Sequence, residues 1–109
     1  MNVRLYILQR VTAMIMAPLV LAHLFVIFYA TSRGLSAADI LGRTRGSVGW
    51  GLYYGVFVAA AAVHAAIGVR TVAVEWGRFA KRGADMVMWS VGGALLVLGL
   101  RAVAAVVLP

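Results

Sequence analysis

The chain has 109 residues, of which 64% are hydrophobic and 12% charged, with a mean hydropathy of +0.99. This composition is far more apolar than that of a soluble globular domain and predicts a membrane protein. Ten Lys and Arg against three Asp and Glu give a formal net charge of +7. Because these charges cluster at the ends of apolar runs, we interpret them as topology determinants, not as a nucleic-acid surface. The absence of cysteine excludes disulfides, thiolate-bound iron–sulfur clusters and the covalent attachment of a c-type haem.

Three apolar segments are each long enough to cross the hydrocarbon core, which takes about 20 helical residues. They run from about Val11 to Ala30, from about Trp50 to Val74 and from about Met86 to Leu108. The sequence therefore predicts an all-α membrane protein in which residues 1–109 form one transmembrane domain of three helices. The connection over residues 31–49 is polar, with a short amphipathic turn around residues 35–41, and the connection over residues 75–85 is short and basic.

The distribution of basic residues predicts the orientation of these spans. The side that holds the N-terminus carries Arg4, Arg10, Arg70, Arg78, Lys81 and Arg82, whereas the other side carries Arg33, Arg43, Arg45 and Arg101. The positive-inside bias therefore favours a cytoplasmic N-terminus, in a bacterial inner membrane. A cleaved signal peptide is disfavoured, because the first apolar run is too long and no small-residue cleavage site follows it.

The two histidines of the chain, His23 and His64, both lie inside apolar spans. An ionisable group in hydrocarbon is costly, so it is retained mostly where it binds a ligand, moves protons or pairs with a partner. Because there is no cysteine, any metal centre must use His, Met or carboxylate ligands. The histidines are therefore the main indication of function.

The surroundings of His64 favour a bulky, flat ligand. Its neighbours one turn away, Ala60, Ala61 and Gly68, have almost no side chain. The alternative for this part of the helix is close helix–helix packing, through a face of small residues formed by Gly51, Gly55 and Ala59. Packing alone is expected to leave both imidazole nitrogens without partners, so we interpret His64 as a cofactor ligand.

His23 has a purely structural alternative. Pro18 lies five residues earlier and frees the carbonyl of Met14, so a kink or a local hydrogen bond can account for a polar residue here. Thr12 and Met16 lie at helical spacing on roughly the same face as His23. We interpret His23 as a second ligand and the two methionines as packing residues.

The depth of the two histidines leaves the number of centres open. Measured from the predicted span ends, His23 and His64 lie about 18 Å and 15 Å from the same side, so that they can face each other. Measured from Arg10 and Arg70, the depths are about 20 Å and 9 Å, which suits two separate centres. One haem within the chain and two haems shared with a partner are both compatible with the sequence.

Two sequence patterns carry a family resemblance. They are Gln9-Arg10-Val11-Thr12-Ala13 at the start of span one, and His64-Ala65-Ala66-Ile67-Gly68-Val69-Arg70 followed by Glu75-Trp76 at the end of span two. The chain resembles the cytochrome b membrane-anchor subunits of succinate dehydrogenase and fumarate reductase, which show an R-[VA]-[ST]-[GA] entry and an H-x-x-x-G-x-R exit followed by an acidic residue. The resemblance covers spans one and two.

The resemblance implies a role for each matching residue. His64 is expected to be an axial ligand of haem b, with Gly68 leaving room for the macrocycle and with Arg10 and Arg70 near the haem propionates. In two-haem members of the family each half also donates a histidine from its first span, a position that His23 fits. Quinone is expected near Tyr6, Arg10 and Trp76. Tyr6, Gln9 and Thr71 stand where the family often has serine or histidine, so contacts in these sites are expected to be rearranged.

The resemblance also implies the partners. Flavoprotein and iron–sulfur subunits are expected on the cytoplasmic face, passing electrons from this tricarboxylic acid cycle enzyme to ubiquinone or menaquinone in the membrane. The chain itself is not expected to oxidise succinate. Three helices do not enclose a macrocycle, so a second anchor subunit or a second copy of this chain is expected to complete the bundle.

Two functions without haem remain as alternatives, a small transporter or proton-conducting subunit and a structural assembly subunit. A proton pathway would place Glu75 or Asp85 within the bundle, but both fall at or beyond the predicted span ends. Glu75 is instead expected to form a surface ion pair with Arg78. An assembly role would leave His23 and His64 without a use.

Overall fold

The computed structural model describes residues 2–109 and contains helices and no strands over that range. Its elements are α1 (Val3–Arg33), α2 (Ala37–Thr44), α3 (Val48–Glu75) and α4 (Lys81–Val107). The three long helices are long and apolar enough to cross a membrane. The predicted fold class, an all-α protein with three membrane-spanning helices, is therefore confirmed.

The helices extend beyond the apolar segments that predicted them. α3 begins and ends within two residues of the predicted span, but α1 begins at Val3 and α4 begins at Lys81. The side chain of Asn2 caps α1 by accepting a hydrogen bond from the backbone N–H of Leu5 at 2.8 Å. The apolar residues show which part of each helix lies in lipid. The helices are longer than these segments because their backbone hydrogen bonds continue into the polar interface. The 31 residues of α1 span about 46 Å, which exceeds the roughly 30 Å hydrocarbon core.

α3 and α4 form a close antiparallel hairpin, and its tightest contacts are at glycines of α4. A Cβ atom added to Gly99 would overlap Val58 Cγ1, and one added to Gly92 would lie 3.1 Å from Ala66 Cβ. At the far end of the hairpin, a Cβ on Gly51 would lie 3.2 Å from Val107 Cγ1. Small residues allow the backbones to approach, which is how helices gain packing energy in lipid.

The predicted packing face of small residues on α3 is only partly correct. Gly51 packs against α4, but Gly55 faces open space and Ala59 is exposed. The buried alanines of α3 are instead Ala60, Ala62 and Ala66. Spacing along one helix identified candidates for close contact, but which of them face a neighbour depends on the rotation of α3 about its axis.

α1 packs against α3, and α2 closes one end of the bundle. The hydroxyl of Tyr53 donates a hydrogen bond to the Leu19 carbonyl of α1. At the end of α2, Thr44 Oγ1 donates to the Val106 carbonyl at 2.6 Å and the Gly46 N–H donates to the Val107 carbonyl at 2.6 Å. These bonds satisfy two of the last carbonyls of α4. The predicted amphipathic turn around residues 35–41 is thus a helix, placed two to three residues later.

Replacing Gly99 with Ala is expected to destabilise the hairpin, because the added methyl group overlaps Val58. We expect a loss of about 1–3 kcal/mol in the free energy of unfolding, measured by denaturant titration of the purified protein in detergent. Gly93→Ala is the matched control, since Gly93 lies on the same helix and has open space around it.

Adding Val58→Ala to Gly99→Ala should restore part of the lost stability. Equal stability of the Gly99→Ala and Gly93→Ala variants would contradict this packing.

Candidate functional site

His64 is held between α3 and α1 by its Nδ1 atom. This nitrogen lies 3.2 Å from the Gln9 carbonyl oxygen and 3.3 Å from Thr12 Oγ1, both on α1. The Thr12 hydroxyl already donates within α1, to the carbonyls of Leu8 and Gln9 at 2.9 Å. Packing thus provides a partner for one imidazole nitrogen, contrary to the expectation from sequence that it provides none.

These contacts determine which nitrogen of His64 carries the proton. A carbonyl oxygen can only accept, and the hydroxyl proton of Thr12 is already used, so Nδ1 must be the donor of a neutral ring. Nε2 then carries the lone pair, which is the form that binds a metal. No buried side-chain nitrogen or oxygen within residues 2–109 lacks a partner. Nε2 of His64 has no hydrogen-bond partner within residues 2–109. It is therefore not a buried atom and is accessible from outside the chain.

An apolar groove runs beside His64 at the N-terminal end of the bundle, the end where α1 begins. Its volume is about 630 Å³. Its lining includes small residues, Ala65, Gly68, Ala73 and Gly77. A Cβ atom on Gly68 would lie 3.4 Å from Gln9 Nε2, so this glycine also keeps space next to α1. A flat apolar ligand can enter such a groove against α3.

His23 lies at the opposite end of the bundle, the end closed by α2. Its Nδ1 atom lies 3.4 Å from the Tyr54 hydroxyl, and its ring packs edge-on against the rings of Tyr54 and Phe57. It lines a separate cavity of about 390 Å³ beneath α2. Thr12, which the sequence placed on the face of His23, contacts His64 instead.

The two histidines lie at different levels of the bundle. His64 faces Thr12, whereas His23 faces Tyr54. His64 and Tyr54 are ten residues apart on α3, which corresponds to about 15 Å along the axis. Two axial ligands of one iron must lie on opposite sides of the same atom. The structure therefore does not bring His23 and His64 of one chain to one common centre.

The surroundings of His64 fit one side of a haem b. The ring has a fixed orientation, a free Nε2, a second-shell carbonyl on Nδ1 and an apolar groove beside it, which is the usual arrangement for a metal-binding histidine. No group of three or more potential metal ligands is present among residues 2–109.

The predicted quinone-site residues lie on the outside of the same end. The Arg10 guanidinium carbon lies 5.8 Å from the centre of the Tyr6 ring, and both residues are exposed. Trp76 is the residue after α3 and is 81% exposed. The structure thus brings Tyr6 and Arg10 together and leaves Trp76 with an open surface. Arg10 does not line the groove beside His64.

Arg70 is buried and forms an ion pair with α4. Its Nε donates to Asp85 Oδ1 at 2.6 Å, with the arginine side chain 9% exposed and the aspartate side chain 40% exposed. The sequence placed Asp85 at or beyond the end of a span, but α4 begins four residues before it, which puts Asp85 in the second helical turn and against the bundle. The single Nε contact leaves the terminal nitrogens of Arg70 free for other acceptors.

The expected ion pair between Glu75 and Arg78 is wrong for this structure. Within the part of the chain that is described, the ion pair joins Arg70 and Asp85. α3 ends at Glu75, and Arg78 adopts a left-handed backbone conformation with φ of 54°. The two residues therefore do not share one helix face at the i, i+3 spacing on which the expectation rested.

Sequence reasoning missed the residues that hold the histidines. Gln9 belongs to the sequence pattern at the start of span one but is not predicted to contact His64, and nothing in the sequence singles out Tyr54. Asp85 was treated as a span-end residue. A signal existed for Asp85, since a buried arginine in an apolar helix needs a counter-charge and only three acidic residues are available.

Comparison with known proteins supports the resemblance noted above. A family model described as "Succinate dehydrogenase/Fumarate reductase transmembrane subunit" matches residues 1–107. No curated protein and no solved structure was found to match the chain.

Replacing Asp85 with Asn is expected to destabilise the bundle, because the buried Arg70 then lacks a counter-charge. We expect a loss of about 1.5–3 kcal/mol in the free energy of unfolding in detergent, the range for hydrogen bonds to charged groups. Glu75→Gln is the control, since it removes the same charge from an exposed and unpaired position and should cost less than about 0.5 kcal/mol. Similar losses in both variants would show that the pair does not contribute.

Proposed function

The chain belongs to the transmembrane subunits of succinate dehydrogenase and fumarate reductase, and we propose that it binds haem b and carries electrons to quinone in that complex. The family match covers residues 1–107 of 109, and three helices are apolar enough to cross a membrane. As a subunit of this kind the chain is part of an enzyme complex. The proposal adds the cofactor, the ligands and the route of electrons.

The state of His64 carries the proposal. A histidine that only packs between helices can use both nitrogens for internal contacts, whereas here the backbone of α1 takes Nδ1 and leaves Nε2 accessible next to an apolar groove. The contact to the Gln9 carbonyl also increases the basicity of the ring as a ligand. In this proposal His64 is an axial ligand, and Gly68 and Ala65 provide room beside it.

A second chain completes the site in this proposal. α1 packs against α3 but hardly against α4, and the groove beside His64 is lined by Gln9 of α1, by residues of α3 and by Val87 of α4. A second anchor subunit, or a second copy of this chain, supplies the other axial ligand. Haem b, when bound, provides a centre that accepts and releases single electrons.

The N-terminal end of the bundle is the proposed quinone side. Tyr6 and Arg10 lie together there and Trp76 is exposed, so a hydroxyl, a guanidinium and an indole N–H are available to quinone oxygens. Arg70 lies at the same end of the bundle, and its terminal nitrogens can contact a propionate. We further propose that this end is cytoplasmic, where its basic residues suit docking of the iron–sulfur and flavoprotein subunits in a bacterial inner membrane.

His23 is proposed as a ligand to a second haem. Its level, about 15 Å from that of His64, requires a separate centre. The Tyr54 hydroxyl near Nδ1 is a weaker orienting group than the contacts of His64, because the distance is 3.4 Å.

Replacing His64 with Ala is expected to abolish the haem at the N-terminal end, because no other histidine lies at that level. The measurement is the reduced-minus-oxidised spectrum of the purified complex, in which the b-type α-band should lose the contribution of one haem per copy. His23→Ala is the companion variant and should remove a different haem. An unchanged spectrum in His64→Ala, with the protein inserted in the membrane, would overturn the proposal.

Replacing Thr12 with Val tests how α1 orients the His64 ring. The Gln9 carbonyl remains, so we expect haem to stay bound, while loss of the hydroxyl beside Nδ1 shifts its reduction potential. Redox titration of the α-band measures this shift. Thr71→Val is the control, because the Thr71 hydroxyl donates to the Ile67 carbonyl within α3. Equal potentials in both variants and in the unmodified protein would contradict this role.

A further inference from the structure

Two arginines from different helices converge on the ring of Tyr29 at the α2 end of the bundle. The guanidinium carbon of Arg33, at the end of α1, lies 5.7 Å from the ring centre. That of Arg43, in the last turn of α2, lies 5.9 Å from the same centre. Two like charges repel each other, so their convergence on one aromatic ring creates a site that favours an anion.

No carboxylate within residues 2–109 forms an ion pair with either of these two arginines. Asp39 lies one turn before Arg43, but its Oδ2 accepts a hydrogen bond from the backbone N–H of Ser36 at 2.9 Å. That bond holds the pKa of the Asp39 carboxyl below its ordinary value, so the group stays ionised as the cap of α2. It forms no ion pair with Arg43, and the end of the bundle keeps a net positive charge.

An apolar cavity opens directly beside these charges. It has a volume of about 390 Å³ and lies beneath α2. Leu35 and Ile40 line it from the α2 side, Trp50 and Tyr54 from α3, and Arg43 also contributes to its lining. A molecule that fills it must be largely apolar, with a negative group at the position of the arginines.

The position of Arg43 is fixed by the attachment of α2 to α4. Thr44, the next residue, is buried and donates to the Val106 carbonyl, and the Gly46 N–H donates to the Val107 carbonyl. The other end of α2 is fixed by the capping box of Ser36 and Asp39. An arginine that is already positioned loses less entropy when it binds an anion.

We propose that Arg33, Arg43 and Tyr29 form a binding site for the acidic group of an amphiphile whose apolar body lies in the cavity beneath α2. A planar guanidinium binds a carboxylate or phosphate through two parallel hydrogen bonds, and two of them can hold one such group. Two sources share this chemistry, the propionates of a haem at His23 and the phosphate of an anionic phospholipid. The first source rests on the function proposed above, whereas the second does not.

The test uses the complete complex with Arg33→Gln and Arg43→Gln combined, in vesicles of phosphatidylcholine with and without phosphatidylglycerol. Arg45→Gln is the control, because Arg45 follows α2 on the same side of the membrane and does not contact Tyr29. Helix content by circular dichroism confirms folding of each variant. Two quantities are measured, the haem content per chain and the phosphatidylglycerol retained after detergent purification.

If the acidic group is a propionate, the double variant loses or shifts the same haem signal as His23→Ala, and lipid retention does not change. If it is a lipid phosphate, haem content stays constant and retained phosphatidylglycerol falls roughly tenfold relative to Arg45→Gln. Haem and lipid both equal to the control would overturn the site, even where His64 is shown to bind haem. Conversely, a complex without any b-type haem would overturn the proposed function and leave the lipid measurement to decide this inference.

Discussion

The polar contacts between α1 and α3 are the constraint on which the rest of this structure depends. Lipid provides no hydrophobic force that would press one apolar helix against another, so helices in a membrane associate through close packing and hydrogen bonds. α4 is held to α3 by close packing at glycines, but α1 has no comparable set of small-residue contacts. It is joined to α3 by hydrogen bonds at His64, Tyr53 and His23. The same contacts that hold the bundle together therefore determine the chemical state of both histidines.

This double use explains why the candidate sites lie at the two ends of the α1–α3 interface. Each histidine sits where a polar group of the other helix can reach its Nδ1 atom, and each has an apolar space next to it. The surface of α1 outside this interface is exposed and largely apolar. Much of the helix must therefore contact lipid or another chain. An open bundle of this kind suits a subunit that packs against other subunits of a membrane complex.

The two ends of the bundle differ in how their charges are arranged. At the N-terminal end, Arg70 is buried and neutralised by Asp85, whereas the other basic residues of that end are exposed. At the α2 end, Arg33 and Arg43 are exposed and lack an ion-pair partner within residues 2–109. The ion pair with Asp85 keeps the Arg70 cation oriented within the protein. Arg33 and Arg43 have no such ion pair and are available to an anion from outside.

The sequence by itself determined the class of protein, the number and order of the spanning helices, and the two histidines as the chemically unusual residues. These features depend on hydropathy and on the cost of an ionisable group in hydrocarbon, both of which are local properties that a single sequence shows directly. The family resemblance at Arg10 and His64 was likewise a local pattern, and the match over residues 1–107 confirmed it. Tertiary structure alone decided that His23 and His64 lie at different levels, that Gln9 and Thr12 hold His64, and that Asp85 pairs with Arg70. These relations join residues 15 to 55 positions apart in the chain, and they depend on the rotation and axial shift of one helix against another, which hydropathy does not specify.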